Sequence, residues 1–83
     1  MNFKLYQDVI LTVDLPQQGL CAGDIGTLVE RHVVPGKEDG FSVEFFDMTG
    51  HTVAVVVVPG SQLRTPTSVD RPSKRSLSAA GAT

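Results

Sequence analysis

Eighty-three residues allow one domain at most, and a single cysteine, Cys21, excludes disulfide stapling. The longest apolar run, Val53 to Val58, falls far short of the about 20 residues that span a bilayer, and the N-terminus does not read as a signal peptide. Residues 1–64 carry four basic side chains against eight acidic ones, a net −4 that repels phosphate and argues against nucleic-acid binding.

No window carries a helical period. β-Branched residues dominate the apolar positions, which alternate or run together. Asp8 to Val13 reads as a first strand. Asp14 to Leu20 is a loop, with Pro16 and Gly19 supplying turn geometry. Gly23 and Gly26 flank the entry to a second strand, Thr27 to Val33, and are expected to take backbone shapes closed to larger residues. Pro35 to Gly40 is a polar, glycine-bounded loop. Phe41 to Phe46 is a third strand. Its Phe41, Val43 and Phe45 share one face, and Ser42 and Glu44 the other, so it has a core side and a wet side. Asp47-Met48-Thr49-Gly50 suits a type I turn closing a hairpin, with Gly50 at its last position. His51 to Val58 is a fourth strand, stopped by Pro59-Gly60. A single 3₁₀ turn at Ser61–Leu63 and a short fifth strand near Leu63-Arg64 complete the set.

Short strands separated by turn signals argue for an all-β domain. Five strands in about sixty residues predict a small, partly open SH3-like barrel over residues 1–64. Residues 65–83 are rich in serine, proline and small residues, with only Val69 and Leu77 as sizeable apolar groups. They are expected to form a disordered tail.

The fourth strand does not alternate: Val53 to Val58 is apolar on both faces. In so small a barrel one face lacks obvious cover. Three readings are open. The tail or the Phe3-Leu5-Tyr6 segment covers that face, or it is a partner or self-association surface, or it stands exposed. Ala54, Val56 and Val58 are the candidate partner surface.

Motifs for chemistry are sparse. Gly23-Asp24-Ile25-Gly26 is followed by strand residues, not by the helix N-terminus a phosphate cradle needs. Cys21, His32 and His51 lack metal-ligand spacing, so no metal or cofactor is expected. Ser61 stands outside any Gly-x-Ser-x-Gly elbow, and no aromatic lies between Val9 and Gly40 to line a proline-peptide groove. No catalytic residue is assigned, and the chain is expected not to be an enzyme. The lone thiol suits a reducing, cytoplasmic setting.

The run Tyr6-Gln7-Asp8-Val9, Asp14-Leu15-Pro16, Gly19-Leu20, Ala22 to Thr27, Val43 to Asp47, Gly50, Thr52 to Val55 and Gln62-Leu63-Arg64 resembles a family of small bacterial proteins catalogued as a domain of unknown function. The resemblance covers nearly all of residues 6–64. It implies a stand-alone β-barrel with no established activity, and an accessory or toxin–antitoxin-like setting. A looser architectural likeness is to SH3-like electron-transport accessory proteins, among them the small peripheral photosystem I subunit and the nitrile hydratase β-chain barrel. The basic surface that would dock an acidic redox carrier is missing here. Together these readings point to a non-enzymatic protein-interaction or accessory module, possible as an antitoxin or immunity-like protein. The alternative is a small docking subunit of a redox or other multi-subunit enzyme.

Overall fold

The computed structural model describes residues 3–76. Five strands form a single antiparallel sheet: β1 (Asp8–Leu11), β2 (Ile25–His32), β3 (Gly40–Phe46), β4 (Thr52–Pro59) and β5 (Leu63–Arg64). Their order across the sheet is β4-β3-β2-β1-β5. The sheet curls into a half-barrel of the SH3-like kind, with β4 and β5 as its two edges. Short 3₁₀ turns at Pro16–Gln18 and Gly60–Gln62 are the only helical pieces among the described residues. No helix there is long and apolar enough to cross a membrane.

The expected elements stand within one or two residues of these, with two differences. β1 stops at Leu11, although the Thr12 amide carries the β1–β5 register one pair further by donating to the carbonyl of Gln62, in the second 3₁₀ turn, at 2.9 Å. β2 starts at Ile25, where Ile10 and Ile25 are already paired.

The concave side holds one core. Val9, Leu11, Leu20, Leu28, Phe41, Val43, Phe45, Val56, Val58 and Leu63 meet there, and Phe3, Val13, Leu15 and Ala54 pack against it. Every strand contributes, so no strand can leave without opening the whole. The face assigned to β3 from its alternation is the core face: Phe41, Val43 and Phe45 are all buried. Phe3 closes one end, edge-on to Phe41 with ring centroids 5.3 Å apart.

Gly23 and Gly26 serve the fold in different ways. Gly23 takes φ +97°, a left-handed shape that L side chains rarely adopt. Gly26, expected to take such a shape as well, instead has ordinary strand backbone within β2 and is constrained by space. A Cβ there would sit 2.6 Å from Val43 Cγ1 and 3.0 Å from both the Glu44 carbonyl oxygen and Phe45 Cε1. β2 therefore lies directly on β3's inward side chains, which lets the sheet curl over its core. Two irregularities sharpen the curl, between Leu28 and Glu30 in the β2–β3 ladder and between Phe45 and Phe46 in the β3–β4 ladder.

The loops are tied by side chains. Arg31 Nε donates to Asp39 at 2.8 Å, and Glu38 accepts from both the amide and the hydroxyl of Ser61, which joins the β2–β3 loop to the second 3₁₀ turn. At the hairpin turn, Asp47 accepts from the Thr49 amide and hydroxyl and from the His51 amide, while Gly50 donates to the Asp47 carbonyl at 3.1 Å. The Thr49 hydroxyl and these amides hold the Asp47 carboxyl below its ordinary pKa.

Two substitutions test this packing by thermal or denaturant unfolding. Phe45→Ala, at a site only 2% exposed, should cost about 3–5 kcal/mol and leave so small a domain largely unfolded. Gly26→Ala should cost about 1–3 kcal/mol despite the gain in β-propensity, because the Glu44 backbone cannot move aside. An unchanged melting curve for either would contradict the curl described here.

Candidate functional site

β4 is an edge strand, and from Val53 onward its side chains alternate. Ala54, Val56 and Val58 point into the barrel opposite Phe45, Val43 and Phe41. Val56 and Val58 are 8% and 4% exposed. The three residues expected to form the partner surface are thus part of the core. The outward set is Val53, Val55 and Val57, of which Val55 and Val57 are 57% and 65% exposed.

The reason lies in the hairpin. Phe46 pairs with Thr52, yet Phe45 pairs with Ala54, so Val53 is one extra residue on β4. A hairpin without this bulge would pair Phe45 with Val53 and turn the odd-numbered valines inward. One residue of register reverses the two faces.

Among the described residues neither expected cover reaches Val55 and Val57. The N-terminal segment goes to the core end, through Phe3 and through the Tyr6 amide, which donates to the Leu28 carbonyl at 2.6 Å. Beside these valines on the outer face lie Glu44, paired with Val55, and Ser42, paired with Val57. Glu44 accepts from the Thr52 hydroxyl, and Ser42 Oγ shares a 2.8 Å hydrogen bond with His32 Nε2. Ser42, expected on the wet face, is buried at 7% exposure, so the flank open beside the valine strip is the acidic Glu44, whose carboxylate already has a partner.

A second feature was not anticipated. A cleft of about 350 Å³ opens between the Leu20–Ile25 loop, the end of β3 with its turn, Val53, and residues 72–75. Leu20, Ile25, Phe45, Phe46 and Met48 supply its apolar wall. Asp24 stands at its rim. The Cys21 amide donates to Asp24 Oδ2 at 2.9 Å, and the Asp24 amide returns a bond to the Cys21 carbonyl at 3.0 Å. Asp14 accepts from the Ala22 amide, and Gly23 and Asp24 exchange backbone bonds with Leu11.

Beyond Arg64 the described residues take neither helix nor strand, but two arginine forks tie them to the barrel. Arg64 Nη1 and Nη2 donate to the Asp70 carboxylate at 2.9 and 2.8 Å, and Asp70 also closes a turn by accepting from the Thr67 amide. The Arg64 fork holds the Asp70 carboxyl far below the usual carboxylate range. Arg75 then reaches back to Asp24. Its Nε donates to Oδ1 at 3.0 Å, and its Nη2 donates to Oδ2 at 2.5 Å and to the Gly19 carbonyl at 2.8 Å. Residues 77–83 lie outside the described part.

Cys21, His32 and His51 are not brought together. Cys21 is half-buried at the cleft, His32 bonds Ser42, and His51 Nδ1 shares a hydrogen bond with the Thr49 hydroxyl on the hairpin turn. Among the described residues no three of His, Cys, Asp or Glu converge in a way that could hold a metal ion.

The curled five-stranded sheet and the motifs that build it coincide with one family. A family model described as a domain of unknown function (DUF4926) matches residues 5–65. The chain belongs to the DUF4926 family. The match begins just before β1 and ends just after β5, so the DUF4926 unit is the half-barrel itself, and the segment that reaches Asp24 lies beyond it. No curated protein and no solved structure matches the chain.

The Asp24 carboxyl has a measurable signature. Burial raises its pKa, but the bonds from Arg75 and from the Cys21 amide outweigh burial and bring it below the ordinary 3.8. A carboxyl with a folded pKa below its unfolded one stabilises the fold above the unfolded value, and that contribution fades as pH falls through the folded one. Asp24→Asn should therefore lower the melting temperature slightly at pH 7, by the equivalent of about 0.2–1 kcal/mol for a part-exposed ion pair. The difference from wild type should shrink as the pH falls below the ordinary carboxyl value of 3.8. Melting curves of both proteins across pH 2–7, roughly the span over which carboxylates titrate, check this.

Proposed function

We propose that this chain is a protein-interaction module without chemistry of its own, and that it docks an extended strand of a partner protein along the free edge of β4. The observation that carries the reading is the outward strip of Val55 and Val57 on an eight-residue edge strand. An unpaired edge offers a row of N–H and C=O groups, and proteins ordinarily guard such edges with charge, bulges or cover. β4 carries no charged residue, and its bulge at Val53 and its Pro59 lie towards its ends, away from Val55 and Val57. Adding a strand supplies main-chain hydrogen bonds for affinity and side-chain contacts on alternate residues for selectivity. Glu44 beside Val55 favours a partner with a basic residue next to its apolar contacts.

An antitoxin-like or immunity-like accessory would use such an edge to grip its target directly. A docking subunit of a larger enzyme would use it to attach, and the stoichiometry of capture separates the two. The single free thiol, Cys21, fits a cytoplasmic setting for either.

The test is purification of the tagged full chain from its native host, beside a variant carrying Val55→Lys and Val57→Lys. Both positions are exposed, so the variant should keep its stability within about 0.5 kcal/mol. One stoichiometric partner should accompany the wild type and be absent from the variant. A wild type that emerges alone, a partner that the variant retains, or a dimer of the chain itself across β4 would each overturn the reading.

A further inference from the structure

The cleft beside the β3–β4 turn has three properties that belong together. First, Asp24 is positioned by the barrel and not by the tail. The Cys21 amide, the backbone exchange with Leu11 and the left-handed Gly23 fix its carboxylate at the rim whether or not Arg75 is present. The adjoining Gly19 carbonyl adds a third acceptor. Two carboxylate oxygens and a carbonyl match the planar donor fork of a guanidinium and suit a lysine ammonium less well.

Second, the segment in the cleft is held at one point. Among the described residues, every hydrogen bond from residues 72–76 to the barrel comes from the Arg75 side chain. Pro72, Ser73 and Lys74 border the cleft without bonding to it, and about 350 Å³ stays open beneath them, with an apolar wall that includes Ile25, Phe46 and Met48. That volume falls in the range of ordinary ligand pockets, about 300–1,000 Å³.

Third, the wall and Asp24 lie inside the family unit, residues 5–65, while Arg75 lies outside it. The receptor is a property of the half-barrel, and its present occupant is an appended segment.

We propose that this cleft is a docking site for an extended, arginine-bearing segment of a partner protein, and that Arg75 keeps it closed by occupying the Asp24 receptor from within the same chain. The incoming arginine replaces Arg75 on Asp24 and the Gly19 carbonyl, and the neighbouring apolar side chains of the partner fill the space along Ile25, Phe46 and Met48. Because the resident arginine is tethered, it competes at a high effective concentration and sets a threshold that only a segment with added apolar contact passes. This site does not depend on the β4 edge, and failure at either leaves the other standing.

The probe is a synthetic peptide Pro-Leu-Lys-Arg-Leu, the sequence of residues 72–76 with leucine for both serines to supply the apolar contact, titrated into the labelled full chain while the backbone amide signals of residues 20–25 are followed. Arg75→Ala empties the receptor without touching the core, since Arg75 is part-exposed and outside the barrel. The peptide should bind Arg75→Ala about tenfold more tightly than wild type, the gain expected when a tethered competitor is removed. Replacing the peptide's arginine by lysine should weaken binding several-fold, and adding Asp24→Asn to the variant should abolish it. Asp24→Glu serves as a folding control that retains the charge. Equal affinity for wild type and Arg75→Ala, no binding to Arg75→Ala, or binding indifferent to Asp24→Asn would overturn the proposal. So would a wild-type dimer that Arg75→Ala dissociates, because the tail would then close the cleft of a second copy.

Discussion

At Gly26 the backbone of β2 lies against Val43 and Phe45 with no room for even a methyl group. This contact governs the rest of the molecule. A five-stranded sheet of this length encloses a core only if it curls, and curling needs a place where one strand can approach the inward side chains of the next. Gly26 supplies it beside the β2–β3 irregularity, and the consequence is one small core shared by all five strands. A domain of this size buries only about 60% of its unfolded surface and has little stability to spare. The cost of crowding Gly26 therefore falls on the whole fold.

Most of the fold was legible because its signals are local. The alternation of Phe41, Val43 and Phe45 marks the core face of β3 directly, and Asp47 with Gly50 marks the hairpin turn. The ends of β1 and β2 were less legible, because they depend on partners distant in sequence: β1 pairs with β5 only as far as the second 3₁₀ turn, and Ile10 pairs Ile25 into the ladder. Gly26 shows the same division. Its need for glycine could be read from the chain, but the cause, a clash with side chains seventeen and nineteen residues on, is tertiary.

The candidate surface was the least legible part. Val53 to Val58 has no polar residue to mark its phase, so either set of alternate residues could be core. The deciding feature is the single extra residue, Val53, between the Phe46–Thr52 and Phe45–Ala54 pairs. Nothing in composition announces it. It places Ala54, Val56 and Val58 against Phe45, Val43 and Phe41, and leaves Val55 and Val57 on an edge without charge. The bulge that settles the core thereby also determines which valines are available to a partner.

The segment after Arg64 follows a different physics from the barrel. Its composition offers almost no apolar area, and ordering each backbone residue costs about 1–2 kcal/mol at 25 °C. What opposes that cost is polar: the Arg64–Asp70 fork with its Thr67 turn, and the Arg75–Asp24 fork. Solvent screens such exposed ion pairs, and each contributes little. The forks offset only part of that cost, so the segment is released far more readily than the strands, which are held by a core. The first fork shortens the free span to the few residues between Asp70 and Arg75, and so lowers the entropy lost when the second one closes. Attachment at Asp24 is consequently weak, and another arginine, arriving with apolar contacts that this segment lacks, is favoured in its place.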